Sequence, residues 1–487
     1  AEPETLDPAL VTSMDSFQLV DCLFEGLTTV DPKTLVPRPG VASTWEVSAD
    51  GRVYTFHLRK DAKWSDGKAL TATDFIAAWK RALTPSTAAS YASLFFYIQG
   101  AEAFYHGKTD DFAEVGVRAA DPHTISITLN SPCGFLLDLL SMPVFHPVRV
   151  DVIKAHGERW TQPEHIVGNG AFALQQWRPR DALILARSET YWDRDFVKIE
   201  QITALIVDDL NTAYKRYQAG GIHWLPTVPL PRMDELKRHP DFYSTPFFGT
   251  YFFRFNVRQA PFDDRRVRRA FSMATNRREI TDDLLKGGQQ PKASLCPEVA
   301  GYQPVPGVPY DVAAARQLLA AAGYPDGKGF PTVELIYNTS EGNKQVCEAV
   351  AQQWQRNLGV KAATRNLEWK VFLADMKDLK FQVCRSSWIG DYGDPSTFFD
   401  IFESTSGNNR TGWASPAYDA LLSRTRTEID PAKRLALFAE METLLVTTEC
   451  PILPLYGYVN VGLLSEAVSG WYPNVRNQHP LKYIWLE

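Results

Sequence analysis

Asp391 is the residue in this sequence whose surroundings ask most plainly for a charged partner. It lies in the run Arg385-Ser386-Ser387-Trp388-Ile389-Gly390-Asp391-Tyr392-Gly393-Asp394-Pro395, flanked by Trp388 and Tyr392. A carboxylate in an aromatic setting loses hydration and is costly unless a cation or several donors meet it. A ligand ammonium would serve. Arg385, earlier in the same run, can take a ligand carboxylate in a two-pronged geometry. One acid and one base at the two ends of a short zwitterion suit a peptide or an amino acid. A plainer reading stays open: Asp391 and Arg385 pair with each other, or with helix ends inside the protein. Asp394-Pro395 reads as turn chemistry and helix initiation. Trp369, which opens a helix, reads first as a core residue.

No catalytic signature competes with that run. The sequence holds no G-x-G-x-x-G, no G-x-x-x-x-G-K-[ST], no H-E-x-x-H and no G-x-S-x-G. His146 and His156, with Asp151 between them, come nearest to a metal set, and they read as ordinary histidines. No enzyme, metal or cofactor is expected.

The elements that must position Asp391 and Arg385 form the most regular stretch of the chain, from about 311 to 391. Asp311 caps a helix that stops at Gly323, with Pro325 beyond it. Val333 to Tyr337 reads as a strand, and Asn343 to Leu358 as a helix with Val346, Val350, Trp354 and Leu358 on one face. Gly359 stops that helix. Val360 to Asn366 is a second strand, Trp369 to Asp378 a helix with Phe372, Leu373 and Met376 inward, and Phe381 to Cys384 a third strand. This β-α-β-α-β order implies parallel strands joined by right-handed crossovers. Ligands bind outside the carboxyl ends of such strands, and there the run 385–395 begins. Downstream, Ser415-Pro416 starts a helix, another spans about 431–446, and a strand runs from Ile452 to Leu463.

Earlier stretches differ in texture. Val53 to Arg59 alternates as a half-buried strand does, and Ser65-Asp66-Gly67-Lys68 is a turn. Thr71 then starts a helix, with Asp74 as its capping-box partner and Phe75, Trp79, Ala82 and Leu83 as its buried stripe. Strand Ile202 to Val207 and helix Asn211 to Gln218 follow, before a Pro-rich crossing at Pro226, Pro229 and Pro231.

Composition sets the outer bounds. A chain of 487 residues, 45% apolar and 22% charged, exceeds one core and predicts two or three domains. No window approaches about 18 uninterrupted apolar residues, so no membrane-spanning helix is expected. A net charge of −6 gives no basic field for nucleic acid. The 13 Trp, 19 Tyr and 27 Phe can fill cores or line a cleft. Six scattered cysteines form no C-x-x-C and leave the redox compartment open. The start, Ala1-Glu2-Pro3-Glu4, has no leader pattern, which means none or one already removed.

Several runs together carry a resemblance: Glu4-Thr5-Leu6-Asp7-Pro8, Leu23-Phe24-Glu25-Gly26-Leu27, Thr55 through Gly67, Trp160-Thr161-Gln162-Pro163, Asn169-Gly170-Ala171, Tyr337-Asn338-Thr339-Ser340 and Glu368-Trp369-Lys370. In this order and spacing the chain resembles the periplasmic oligopeptide-binding proteins of ABC importers, in the peptide and nickel branch of the family 5 extracellular solute-binding proteins. The resemblance implies an α/β, two-lobed periplasmic binding protein-like fold with a hinge and an extra subdomain on the first lobe. On this chain the hinge lobe would comprise 1–24, 148–248 and 456–487, the subdomain 25–147, and the second ligand-binding lobe 249–455.

It also implies roles. Asp391 looks like the family acid that holds the ligand α-amino group, and Arg385 like an arginine that meets the carboxylate of short peptides. Trp369 and Trp388 resemble aromatics lining side-chain pockets, and Tyr251 lies on a strand that would pair with the ligand backbone. Asn343 stands where the family has a carboxylate-binding histidine. Met376, with Lys377 beside it, stands where it has an arginine. Two family cysteines that form a disulfide appear here as Gly249 and Ile389. The family pattern also extends ahead of Glu4, which implies a trimmed chain or a missing first strand. The function implied is a periplasmic, monomeric receptor that captures short peptides in extended form for importer permease subunits. The alternatives are a dedicated receptor for murein peptides and a same-fold receptor for a non-peptide ligand.

Overall fold

The computed structural model describes residues 2–3, 5–428 and 430–487, without the side chains of Asp15, Leu230 and Lys370. Glu4 of the N-terminal run, and the Lys370 side chain, therefore lie outside the described residues. The chain divides into two units, Ala1–Pro229 with Gly462–Glu487, and Leu230–Val461.

In the first unit, local sequence signals act as their chemistry predicts. Thr71 caps the helix Ala72–Leu83, and its backbone N–H donates to Asp74 Oδ2 at 2.8 Å, completing a capping box. Phe75, Trp79, Ala82 and Leu83 are all buried on its inner face, and Trp79 Nε1 donates to the Phe145 carbonyl. Strands β1 (Thr28–Val30) and β2 (Pro37–Pro39) form a ribbon. Strands β3 (Ala42–Val47), β4 (Val53–Leu58), β5 (Val117–Asp121) and β6 (Thr124–Thr128) form an antiparallel sheet in the order β3-β4-β6-β5. The period-two pattern of β4 is visible as buried Tyr54, Phe56 and Leu58. Strands β7 (Phe172–Arg178), β8 (Ala182–Arg187) and β9 (Gln201–Leu205) form a second antiparallel sheet, and the helix Leu210–Gln218 leads to β10 (Trp224–Leu225).

The second unit is built on β11 (Phe242–Phe255), β12 (Gln290–Pro291), β13 (Val333–Asn338), β14 (Ala362–Leu367), β15 (Val383–Ile389) and β16 (Ile452–Leu464), in the order β16-β11-β15-β13-β14, with β12 on β16. The last residues of β16, Leu463 and Leu464, belong to the first unit and pair with β10. There too lie β17 (Val468–Ser469) and β18 (Trp485–Leu486). As the β-α-β-α-β pattern predicts, β13 is parallel to both β14 and β15. The crossovers are the helices Glu341–Leu358, capped by Ser340, and Trp369–Lys377. Tyr251, Phe253, Phe255, Phe271, Val346, Val350 and Trp354 share one buried cluster on that sheet.

One boundary differs from the sequence reading. The third strand does not end at Cys384 but runs to Ile389, so Arg385 to Ile389 is strand, not loop. The cause is tertiary. β11 offers an antiparallel partner from Phe255 to Gly249, opposite Val383 to Ile389, and main-chain pairing is indifferent to the polarity of Arg385-Ser386-Ser387.

Candidate functional site

β15 presents its side chains alternately to the two faces of the sheet. Arg385, Ser387 and Ile389 leave on one face, with their cross-strand partners Phe253, Tyr251 and Gly249; Ser386 and Trp388 leave on the other, with Phe252 and Thr250. A ligand that meets both Arg385 and Trp388 must therefore lie across the carboxyl end of the strand. Asp391 follows at that end, after Gly390. A Cβ on Gly390 would sit 2.1 Å from Phe248 Cε1, so only glycine lets the chain turn there. The Asp391 backbone N–H donates to Thr397 Oγ1 at 3.1 Å, which anchors the turn to the next short helix.

Arg385 is held by neutral groups. Its guanidinium lies 4.8 Å from the Tyr251 ring centroid, Nη2 donates to Tyr458 Oη at 2.9 Å, and Nη1 reaches Asn338 Oδ1 at 3.4 Å. The same Asn338 oxygen accepts from Asn343 Nδ2 at 3.1 Å, and Asn343 Oδ1 accepts from the Tyr251 hydroxyl at 3.3 Å. Asn338 ends β13 and Asn343 lies in the first turn of the following helix, so the network sits at the carboxyl end of a parallel strand. Tyr251 also stacks on Tyr456, centroids 4.8 Å apart at 17°. Burial works against the Arg385 charge, yet the phenols of Tyr458, Tyr251 and Tyr456 more than offset it, and its pKa stands above the ordinary arginine range.

Asp391 is the reverse case. Among the described residues no ion pair or side-chain hydrogen bond reaches its carboxylate, and burial alone pushes its carboxyl up to about 7. The pairing of Asp391 with Arg385, left open by the sequence, does not occur. In the same segment Arg385 Nε and Trp388 Nε1 are buried donors with no acceptor. Asp394 behaves as turn chemistry predicts: it accepts from the Ser396 N–H at 3.0 Å and is gripped by Arg434 at 2.6 and 2.8 Å.

The other expected residues are placed as follows. Tyr251, Asn343 and Arg385 are brought together. Trp369 is 51% exposed and stacks on Phe372, centroids 6.0 Å apart, so the core reading of that residue is corrected. It is the first residue of its helix. Lys377 is exposed at the far end of the same helix, while Met376 is buried with Ile336, Phe372, Phe381 and Cys384. Gly249 and Ile389 are direct cross-strand partners, and a Cβ on Gly249 would lie 2.3 Å from Ile389 Cδ1. All six cysteines are free and buried. His146 is buried, Asp151 is tied to Arg149, and His156 stacks on His165, so that trio is no metal set. No group of three or more His, Cys, Asp or Glu suited to a metal occurs among the described residues.

Sequence reasoning left Asn338, Tyr456 and Tyr458 without a role. The signal for the tyrosines was available, since Tyr456-Gly457-Tyr458 puts two phenols on one face of a strand. The Asn338 contact with Arg385 crosses from one strand to another, and no local pattern reports it.

Comparison with known proteins gives one consistent result. The family model "Bacterial extracellular solute-binding proteins, family 5 Middle" matches residues 36–410. The chain is 36% identical over 497 residues to the dipeptide-binding protein DppE of Bacillus subtilis, covering 100% of this chain and 90% of the relative. It is 36% identical over 495 residues to the periplasmic murein peptide-binding protein MppA of Escherichia coli, covering 99% and 90%. Among solved structures, a periplasmic oligopeptide-binding protein of Borrelia burgdorferi superposes with a TM-score of 0.88 at 32% identity, covering 100% of this chain and 98% of that one. The fold is the two-lobed periplasmic binding protein fold of these structures.

Proposed function

The chain belongs to the bacterial extracellular solute-binding proteins of family 5, and we propose that it is a receptor that captures short peptides in extended form and delivers them to an ABC importer. Relatives that share its full length are named for dipeptides, oligopeptides and murein peptides. No helix among the described residues is long and apolar enough to cross a membrane. We place the protein in the periplasm, as a monomer, with the subdomain in the first unit, the hinge lobe there except for residues 230–248 and 456–461, and the ligand-binding lobe in the second.

The observation that carries this reading is Asp391, a half-buried carboxylate without a cation. Ionised, it is stable only opposite a positive group, and the α-ammonium of a peptide supplies one. Arg385, charged and bonded only to neutral oxygens, takes the ligand carboxylate. The main chain at the end of β15 pairs with the extended ligand, which gives affinity independent of side chains. Trp388 and Trp369 border side-chain pockets. Asn343, 8% exposed and already committed to Tyr251 and Asn338, acts as a positioning residue for Arg385. Lys377 is a peripheral cation for longer ligands.

Calorimetry with a tripeptide and its N-acetylated form tests this. The free amine should bind about 100-fold more tightly, the scale of a broken buried ion pair. Equal affinities for the two forms would sink the assignment of Asp391. A murein-peptide receptor is the second reading, favoured by the full-length similarity to MppA and by an arginine with no internal acid to satisfy. A murein tripeptide that outcompetes an ordinary α-linked tripeptide would decide for it.

A further inference from the structure

The first unit contains a cavity with an unbalanced wall. It has about 30 Å³ of water-accessible space and is lined by Asp21, Glu25, His146, Gln478 and Lys482 among others. A volume of this size holds one or two water molecules or a small ion. Three buried polar atoms on these residues have no hydrogen-bond partner: Asp21 Oδ1, His146 Nδ1 and Gln478 Oε1.

All three are acceptors. His146 Nε2 lies 3.2 Å from the Ser141 carbonyl, which can only accept, so the ring proton is on Nε2 and the Nδ1 lone pair is free. Burial pushes the His146 pKa down to about 4, so the ring is neutral. The charges do not cancel either. Glu25 is fully met, accepting from Tyr191 Oη, Trp192 Nε1 and Lys482 Nζ, each at 2.6 Å. Lys482 is thereby spent on one of two carboxylates. Asp193 and Arg59 also lie near this cluster and add one charge of each sign, while Asp195, which acts on Asp193 too, is exposed and paired with Arg194. Ionised, Asp21 carries a negative charge that Lys482, already bonded to Glu25, does not cancel, and burial pushes its carboxyl up to about 7 even with Lys482 drawing it down.

We propose that this cavity is a binding site for one small monovalent cation, ammonium or sodium, held by Asp21 Oδ1, His146 Nδ1 and Gln478 Oε1. Water molecules can match the acceptors in number, but they leave the second carboxylate uncompensated in a poorly hydrated place. A cation meets both needs at once. A divalent ion would overcompensate beside the Lys482 ammonium. The imidazole lone pair and the amide oxygen suit a donor such as ammonium, and the carboxylate suits either ion. The site lies wholly in the first unit and does not depend on the peptide assignment.

Thermal unfolding of the full chain in ammonium, sodium and tetramethylammonium chloride at equal ionic strength tests it. Ammonium or sodium should raise Tm by about 2–4 °C over tetramethylammonium, which is too large for the cavity, and the ion with the larger effect identifies the occupant. Asp21→Asn should remove the difference between salts. Because that variant can lose its fold, the wild-type protein dialysed into tetramethylammonium chloride is also titrated with each salt by calorimetry, where saturable binding at one site per chain is expected. Equal Tm values in all three salts without saturable heat, or an Asp21→Asn protein that keeps the salt difference, would overturn the proposal.

Discussion

Glu442 and Asp391 are two carboxylates of the second unit, one fully buried and one half-buried, and the fold treats them in opposite ways. Burial raises the pKa of both. Glu442 is surrounded by donors: the N–H groups of Leu295, Cys296 and Val305 and the Tyr302 hydroxyl, all at 2.7–2.9 Å. Asp391 has no comparable donor among the described residues. The basic residues repeat the contrast. Arg434 grips Asp394 with two short bonds, whereas Arg385 meets only a phenol, an amide and a ring face. A fold completes the buried charges it uses for its own cohesion, because an unmet one costs several kcal/mol. Asp391 and Arg385 are left open, one of each sign and six residues apart.

The contrast breaks if the two acids respond alike to removal. Asp391→Asn should reduce affinity for a short peptide by about 3–5 kcal/mol, two orders of magnitude or more, while leaving unfolding free energy unchanged or slightly higher. Glu442→Ala should do the opposite: stability falls by about 2–4 kcal/mol in urea, because four donors lose their acceptor, and affinity at low temperature is retained. An Asp391→Asn protein that is less stable yet binds normally would make Asp391 a structural acid like Glu442.

The pH dependence sharpens the same comparison. A carboxyl whose folded value is raised adds stability that is complete below its ordinary value of 3.8 and is lost as pH rises through about 7. The ligand-free protein is therefore penalised by Asp391 as pH climbs across that window. Binding an ammonium requires the ionised form, so peptide affinity should rise about tenfold per pH unit below 7 and level off above it. Titrations across the window on wild type and on Asp391→Asn, where the slope should vanish, give the measurement. A flat wild-type profile would mean that the ligand amine is bound elsewhere.

Local chemistry made much of the second unit legible. Asp311 and Ser415 cap the helices they were expected to cap, and the parallel pairing of β13 with β14 and β15 followed from the order of periods. The end of β15 was not legible, since its last five residues are held by β11, more than a hundred positions away in sequence. Asp391 and Arg385 stood out as residue types, but their isolation from each other is a fact of three-dimensional placement. The first-unit cavity left no trace in sequence, because it joins residues near position 21 to others near 480.

The smallest expected effect concerns Trp369. An indole that is 51% exposed and stacks on the Phe372 ring contributes little to cohesion, so Trp369→Ala should change stability by less than about 1 kcal/mol. Had it been a core residue, as its place at the head of a helix first implied, truncation would cost about 3–5 kcal/mol. A flat apolar face left open to solvent is the aromatic counterpart of the open carboxylate at Asp391. It should lower affinity a few-fold for peptides with a bulky side chain at one position and leave those with alanine there unchanged. A uniform loss across the peptide series would mean that Trp369 acts through the fold and not through a pocket.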